Sequence, residues 1–129
     1  MFMSRFVGET YALMRIVTGF LFLWHGSQKL LGFPVAAPEG APAFVIYGAG
    51  SIELVGGVLV FLGLFTRWTA FVCSGLMAFA YWFAHGFNAV FPLVNRGELA
   101  VLYCFVFLFI AANGAGMWSL DGVRDKAAA

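Results

Sequence analysis

The sequence predicts an all-α protein, a bundle of four antiparallel transmembrane helices with both termini in the cytoplasm. Of its 129 residues, 63% are hydrophobic and only 10% are charged, and the apolar residues fall into four long runs. A soluble domain carries about 25% charged residues, so too few polar side chains remain here to cover a water-exposed globule. A helix needs about 20 mostly apolar residues to cross a bilayer. We therefore interpret the chain as one integral membrane domain.

Glycine, proline and short turns separate the four runs. The predicted spans cover residues 9–31, 43–65, 69–87 and 98–117. Gly32 and Pro34 end the first span, since glycine permits a turn and proline stops a helix. Thr66-Arg67-Trp68 is short enough to make the second and third spans antiparallel neighbours, and Pro92 lies in the loop before the last span. A soluble, aromatic-rich helical protein is the alternative, but four consecutive runs of lipid length favour a membrane protein.

Basic residues orient the predicted bundle. They lie before the first span, in the short turn and after the last span, at Arg5, Arg67, Arg124 and Lys126. Lys and Arg are enriched in cytoplasmic segments, so we expect both termini there, and Arg96 is an exception to this rule. No small-residue cleavage site follows the first run, which we interpret as a retained span. A net charge of +1 gives no reason to expect nucleic acid, and the lipid bilayer is the expected partner.

Polar side chains within the spans are the first candidates for function, because ionisable groups in lipid are costly unless they face protein or water. At about 100° per residue, Arg15, His25 and Lys29 share one face of the first span. The predicted orientation gathers five candidates for ligand binding in the outer half of the bundle: His25, Lys29, Glu53, His85 and Glu98.

Three further polar residues are assigned structural roles. Arg15 lies deeper, with no acid at its own level, and we expect its side chain to snorkel to the inner interface. Arg67 is placed in the turn between the second and third spans. Asn95 and Glu98 have the spacing of a capping box, which would satisfy backbone amides at the start of the last span.

The candidate pocket also has a structural interpretation. Lys29 could snorkel to the outer interface, and either histidine could be an ordinary core residue. Glu53 needs a buried partner, for which Lys29 or His25 is expected. A self-neutralising cluster that locks the helices together therefore explains the same residues as a ligand site does.

Residue types narrow the chemistry of such a site. His25 and His85 could ligate a haem, but no Cys-x-x-Cys-His, His-Glu-x-x-His or carboxylate cluster accompanies them, so no metal site is predicted. A quinone or similar small molecule is more consistent, because histidine and glutamate exchange protons with a carbonyl or hydroxyl. Phosphate-binding loops and nucleophile elbows are lacking in the sequence, which argues against phosphoryl transfer and serine hydrolysis.

Several motifs resemble the DoxX family. They are Arg15-x-x-x-Gly19-x-x-Phe22-x-x-His25-Gly26-x-x-Lys29-Leu30, Glu53-x-x-Gly56-Gly57, Gly63-Leu64-Phe65-Thr66-Arg67, Asn95-x-Gly97-Glu98-Leu99-Ala100 and Gly116-Met117-Trp118-Ser119-Leu120-Asp121. The resemblance covers almost the whole chain, in the right order.

The resemblance implies a four-helix protein of the bacterial inner membrane. Some members are linked to thiosulfate oxidation with electron delivery to quinone, and others to membrane-associated oxidative-stress complexes. We therefore predict a redox-associated, multi-pass membrane protein that binds a quinone or similar molecule, with membrane redox-complex subunits as partners. The alternative is a structural or accessory subunit of a larger complex. Either way the chain fits an accessory or ligand-binding subunit better than a free-standing enzyme.

Overall fold

The computed structural model describes residues 2–129, which form six α-helices and no β-strand. The helices are α1 (Val7–Leu31), α2 (Gly50–Leu62), α3 (Thr66–Ala80), α4 (Pro92–Asn95), α5 (Glu98–Asn113) and α6 (Leu120–Ala128). A 3₁₀ turn at Ser4–Phe6 precedes α1, while π-helical segments at Phe44–Ala49 and Tyr81–Gly86 lead into α2 and extend α3. The all-α class predicted from the sequence is confirmed.

Two helices end earlier than the apolar pattern predicts. Helix α2 stops at Leu62 because Gly63 adopts a left-handed conformation, with φ of 68°. Helix α5 stops at Asn113, not at residue 117, because Gly114 and Gly116 have φ values of 93° and 67°. Glycine enters this region readily because it has no Cβ atom. Hydrophobicity alone does not show where such turns interrupt an apolar run.

Helices α1 and α2 run antiparallel in backbone contact. A Cβ atom at Gly19 would lie 2.7 Å from the carbonyl oxygen of Gly57, and one at Gly26 would lie 2.6 Å from that of Gly50. Only glycine fits such contacts, which let two helix backbones approach closely. The small-residue face of the second predicted span therefore packs directly against the first helix.

Helices α3 and α5 form a second antiparallel pair. The Ser74 hydroxyl donates to the Cys104 carbonyl oxygen at 2.7 Å, and Arg67 at the start of α3 reaches the end of α5. Between the two pairs, the rings of Phe22 and Phe107 lie with their centroids 4.6 Å apart, and both side chains are fully buried. One apolar core therefore joins the two helix pairs.

Two helical stretches, Ser4–Leu31 and Phe44–Leu62, are long and apolar enough to cross a membrane, whereas the apolar α5 is shorter. The outward face of α1 carries Leu13, Val17 and Phe20, each about half exposed. Arg15, on the opposite face, is buried. Helix α1 therefore turns its charged side inward and its apolar side outward, as its periodicity predicts.

Candidate functional site

A cavity of about 710 Å³ lies among the last turns of α1, the segment leading into α2, the end of α3 and the first turns of α5. We call this region the cavity end. Most of its walls are apolar, and both π-helical segments contribute to them. Phe44 from one segment meets Phe83 from the other, with ring centroids 5.3 Å apart. The volume is that of a small-molecule site, and π-helical turns recur at functional sites.

The cavity contains a buried ion pair. Lys29 Nζ lies 2.6 Å from Glu53 Oε2, and the side chains are 13% and 5% exposed. The close contact of α1 and α2 at Gly26 and Gly50 explains this geometry, because it holds the two helices together within one turn of the pair. Lys29 therefore supplies the partner expected for Glu53 and does not snorkel.

Both histidines line the same cavity. The His25 ring packs edge-on against Tyr103, with centroids 6.0 Å apart. His85 Nδ1 lies 2.9 Å from the Asn95 carbonyl oxygen. Since a carbonyl only accepts, Nδ1 is the donor in this contact, and in the corresponding neutral tautomer Nε2 is the acceptor. Among residues 2–129, no three His, Cys, Asp or Glu side chains are grouped to bind a metal.

Asn95 supports the wall without forming the expected capping box. Its side chain donates to the Tyr81 hydroxyl at 3.1 Å and the Ala89 carbonyl at 3.0 Å, and accepts from the Gly97 amide at 2.8 Å. Asn95 ends α4, and the residue that precedes α5 is Gly97. The capping-box interpretation is therefore wrong, because the chain turns between Asn95 and Glu98. Glu98 is exposed and lies outside the cavity wall.

Arg15 does not snorkel; that expectation is wrong. Its side chain is fully buried at the opposite end of the molecule, which we call the arginine end and define by Arg15, Arg67 and Asp121. Its two terminal nitrogens bond four backbone carbonyls at 2.7 to 3.2 Å: Val60, Phe61, Met117 and Trp118. The early end of α2 exposes two of these acceptors and the turn before α6 supplies the others.

The other two charges of the arginine end also bind helix termini. Arg67 donates to the Ala111, Ala112 and Asn113 carbonyls at the end of α5. The Asp121 carboxylate accepts from the Phe65 and Thr66 amides and from the Thr66 hydroxyl at the start of α3. Burial alone raises the pKa of Asp121, but these hydrogen bonds and the Arg124 charge outweigh burial and lower it.

Tyr103 was not predicted from the sequence as a site residue, and the two π-helical segments were not predicted either. Tyr103 is buried on α5, faces the cavity and packs against both His25 and Phe22. Tyr103 lies one helical turn from Phe107, so the two residues share the inward face of α5. A hydroxyl group on that face could have identified Tyr103 as a candidate site residue. The π-helical segments have no comparable signature in the sequence.

A sequence model named DoxX matches residues 10–86, more than half of the chain. The chain belongs to the DoxX family. This DoxX protein is 45% identical over 116 residues to a Haemophilus influenzae protein described as "Uncharacterized protein", covering 85% of this chain and 87% of that one. It is 44% identical over 113 residues to a Bacillus subtilis protein named "Putative oxidoreductase CatD", covering 84% and 82%. No solved structure matches significantly.

The family assignment confirms the resemblance found in the motifs. The matched region includes four of the five residues that the sequence predicts to bind a ligand, namely His25, Lys29, Glu53 and His85. DoxX proteins are membrane-associated, and one of the two relatives is named as a putative oxidoreductase.

Proposed function

We propose that this DoxX protein crosses the bacterial inner membrane four times and binds a quinone or similar lipophilic ring compound in its cavity. The main support for this proposal is the cavity, whose apolar and aromatic walls surround the Lys29–Glu53 pair and two histidines. Small-molecule sites combine such walls with a few polar groups that orient the ligand.

Helix lengths and charge support the topology. Helix α3 and its π-helical extension cover residues 66–86, while α5 has 16 residues, or about 24 Å at about 1.5 Å per residue. With the two longer stretches, these segments would make the four crossings that we propose. The basic residues of the terminal segments and the short turn lie at the arginine end: Arg5, Arg67, Arg124 and Lys126. Because Lys and Arg are enriched in cytoplasmic segments, this supports a cytoplasmic arginine end and a cavity in the outer half.

The polar groups suit a ligand that gains or loses protons. Glutamate and histidine act as proton donors or acceptors toward a carbonyl or hydroxyl, and lysine stabilises negative charge on oxygen. Phe22 and Tyr103 supply aromatic surface beside them. We propose that the chain acts as the ligand-binding subunit of a membrane redox complex, whose partners carry out electron transfer.

A second candidate is a purely structural subunit, in which the polar groups only lock the helices. The observation that favours it is the direct ion pair across the contact between α1 and α2. The two candidates differ in whether the cavity must stay open for the protein to work.

Filling the cavity tests the ligand-binding proposal. Gly48 lines the cavity and a Cβ atom there would meet nothing within 4 Å, so Gly48→Phe can add a ring at the cavity wall without a backbone clash. Gly75→Phe is the matched control, since Gly75 is exposed, equally unobstructed and outside the cavity wall. Binding is measured by equilibrium dialysis of trimethylbenzoquinone and trimethylhydroquinone against detergent-solubilised protein, with protein-free micelles as the blank.

We expect the wild type and Gly75→Phe to bind at least one probe, and Gly48→Phe to bind about tenfold more weakly, a loss of about 1.4 kcal/mol. Equal binding by all three proteins, or no binding above the micelle blank, would contradict the proposal. A visible haem spectrum in the purified protein would instead favour ligation by His25 and His85.

A further inference from the structure

The ion pair of the cavity has unused hydrogen-bonding capacity. Lys29 Nζ has three N–H groups, and it bonds Glu53 Oε2 at 2.6 Å and the His25 carbonyl at 3.5 Å. Glu53 Oε1 has no hydrogen-bond partner within the described part of the chain. Both side chains line the cavity, so a donor and an acceptor are presented to a ligand side by side.

A second acceptor comes from His85. Its Nδ1 donates to the Asn95 carbonyl, and in the neutral tautomer that carries this proton Nε2 has a lone pair for a ligand. Among the polar groups that line the cavity, Glu53 Oε1 and His85 Nε2 can accept a hydrogen bond, whereas Lys29, Arg96 and the Tyr103 hydroxyl can donate one.

We infer that the cavity selects aromatic hydroxyl compounds, with hydroquinone as the type, over the corresponding quinones. This inference rests on the proposed function and names the ligand class of the same site. A hydroxyl donates one hydrogen bond and accepts others, so it can donate to Glu53 while accepting from Lys29. A quinone carbonyl only accepts, and it would remove water from the Glu53 carboxylate without giving a hydrogen bond in return.

A quinone should bind more weakly than a hydroquinone because it cannot donate a hydrogen bond to an acceptor in the cavity. A buried polar group left unpaired loses the full benefit of its hydration, so sites built around a hydroxyl reject analogues that lack it far more strongly than apolar pockets reject a missing methyl group. A quinone seated against the ion pair would incur this penalty at Glu53, whose Oε1 would lose its water without gaining a hydrogen bond.

Three probes with one ring system separate these effects. Trimethylhydroquinone has two hydroxyl groups, its dimethyl ether keeps the reduced ring but cannot donate, and trimethylbenzoquinone keeps the ring substitution but has carbonyls. Dissociation constants are measured anaerobically by equilibrium dialysis with mass spectrometric quantification. For the wild type we expect the hydroquinone to bind at least about tenfold more tightly than either other probe, as the loss of a hydrogen bond to a charged group implies.

The variant Glu53→Gln tests the assigned acceptor. An amide can donate to a carbonyl, so the preference for hydroquinone over quinone should fall to within about threefold or reverse, because the donor and acceptor pattern has changed. Glu9→Gln makes the same chemical change in the first turn of α1, far from the cavity, and should keep the wild-type preference. If Glu53→Gln fails to fold, the comparison of the three probes in the wild type still tests the selectivity.

The outcomes separate this inference from the proposed function. If the wild type binds the quinone or the ether as tightly as the hydroquinone, the selectivity is overturned while the cavity remains a binding site. If Glu53→Gln folds and keeps the full wild-type preference, the assignment to Glu53 is overturned. If none of the probes binds above the micelle blank, the proposed function fails and this inference fails with it.

Discussion

Both ends of the molecule carry charged side chains, but the two ends use them differently. At the arginine end, Arg15, Arg67 and Asp121 are bonded to backbone groups at helix termini. At the cavity end, Lys29 and Glu53 bond mainly to each other and still face about 710 Å³ of open space. A charged side chain whose hydrogen bonds go to helix ends stabilises the fold. One that faces a cavity with unused donors or acceptors can bind a ligand.

The difference between the ends follows from how the helices terminate. Each α-helix leaves unpaired carbonyls at its end and unpaired amides at its start. At the arginine end these groups are covered by charged side chains from other segments. At the cavity end both π-helical segments line an open space, and the side chains of Lys29, Glu53 and both histidines face it.

Removing the guanidinium of Arg15 should have the largest effect. Arg15→Leu strips donors from four backbone carbonyls, at about 1 kcal/mol each, so we expect the free energy of unfolding to fall by about 4 kcal/mol. Unfolding is followed by tryptophan fluorescence in mixed micelles with increasing denaturing detergent.

Arg124→Leu is the control for loss of one arginine at the same end. Arg124 is half exposed and its ion pair with Asp121 is a surface one, so the cost should stay below about 1 kcal/mol. Similar unfolding midpoints for the two variants would contradict a structural role specific to Arg15.

Breaking the ion pair at the cavity end should come next. Lys29→Met leaves the Glu53 carboxylate buried without its partner, and we expect a loss of about 3 kcal/mol. The double variant Lys29→Met/Glu53→Leu removes both charges, so its stability should return to within about 1 kcal/mol of the wild type. Stability is measured by detergent unfolding, and ligand binding by dialysis.

This pair of variants separates the two candidate functions. If the ion pair serves a ligand, the double variant should fold but lose binding of the hydroquinone. If the double variant is as unstable as Lys29→Met, the unpaired Glu53 carboxylate is not the cause of the lost stability. Unchanged binding in the double variant would assign the pair to the fold alone.

The sequence predicted one end better than the other. His25 and Lys29 are one helical turn apart, and Glu53 lies at the same predicted depth, so helical periodicity and topology were enough to expect the pair. The partners of Arg15 are backbone carbonyls of residues 60–61 and 117–118, and their position depends on turns at Gly63, Gly114 and Gly116. No side-chain pattern reports such acceptors. The cavity volume likewise depends on π-helical geometry, which hydrophobic periodicity does not reveal.

The contact that holds the cavity end together can be tested at Gly26. A Cβ atom there would lie 2.2 Å from the Leu54 amide nitrogen and 2.6 Å from the Gly50 carbonyl oxygen. Gly26→Ala must therefore push α1 and α2 apart, and we expect a loss of about 2 kcal/mol, typical of overpacking. Binding of the hydroquinone should weaken as well, because Lys29 and Glu53 lie on the separated helices.

Gly75→Ala is the matched control within a helix. A Cβ atom at Gly75 meets nothing within 4 Å, so the higher helix propensity of alanine should stabilise the protein by about 0.5 to 1 kcal/mol. In detergent unfolding, Gly26→Ala should therefore lower the free energy of unfolding and Gly75→Ala should raise it. The same sign for both would contradict the backbone contact between α1 and α2.

The smallest expected effect is a pH dependence at the arginine end. The pKa of Asp121 is lower in the folded protein than its ordinary value, because hydrogen bonds from Phe65 and Thr66 and the Arg124 charge outweigh its burial. Such a carboxylate stabilises the fold above its unfolded pKa of about 3.9. That stabilisation is lost as the pH falls through the lower folded value. We expect Asp121→Asn to cost about 1 kcal/mol at pH 7, as for loss of a helix cap.

Unfolding of the wild type and Asp121→Asn is compared from pH 7 down to pH 3. The difference between them should stay constant to about pH 5 and then shrink, because the wild type loses the charge that the variant lacks throughout. Asp125→Asn serves as the control, since the Asp125 side chain is 75% exposed and its contact with Arg124 is long, at 3.8 Å. A difference that grows in acid, or an equal cost at Asp125, would show that Asp121 does not cap α3 as an anion. Retained hydroquinone binding in Asp121→Asn would show that the charges of the arginine end act on the fold without acting on the cavity.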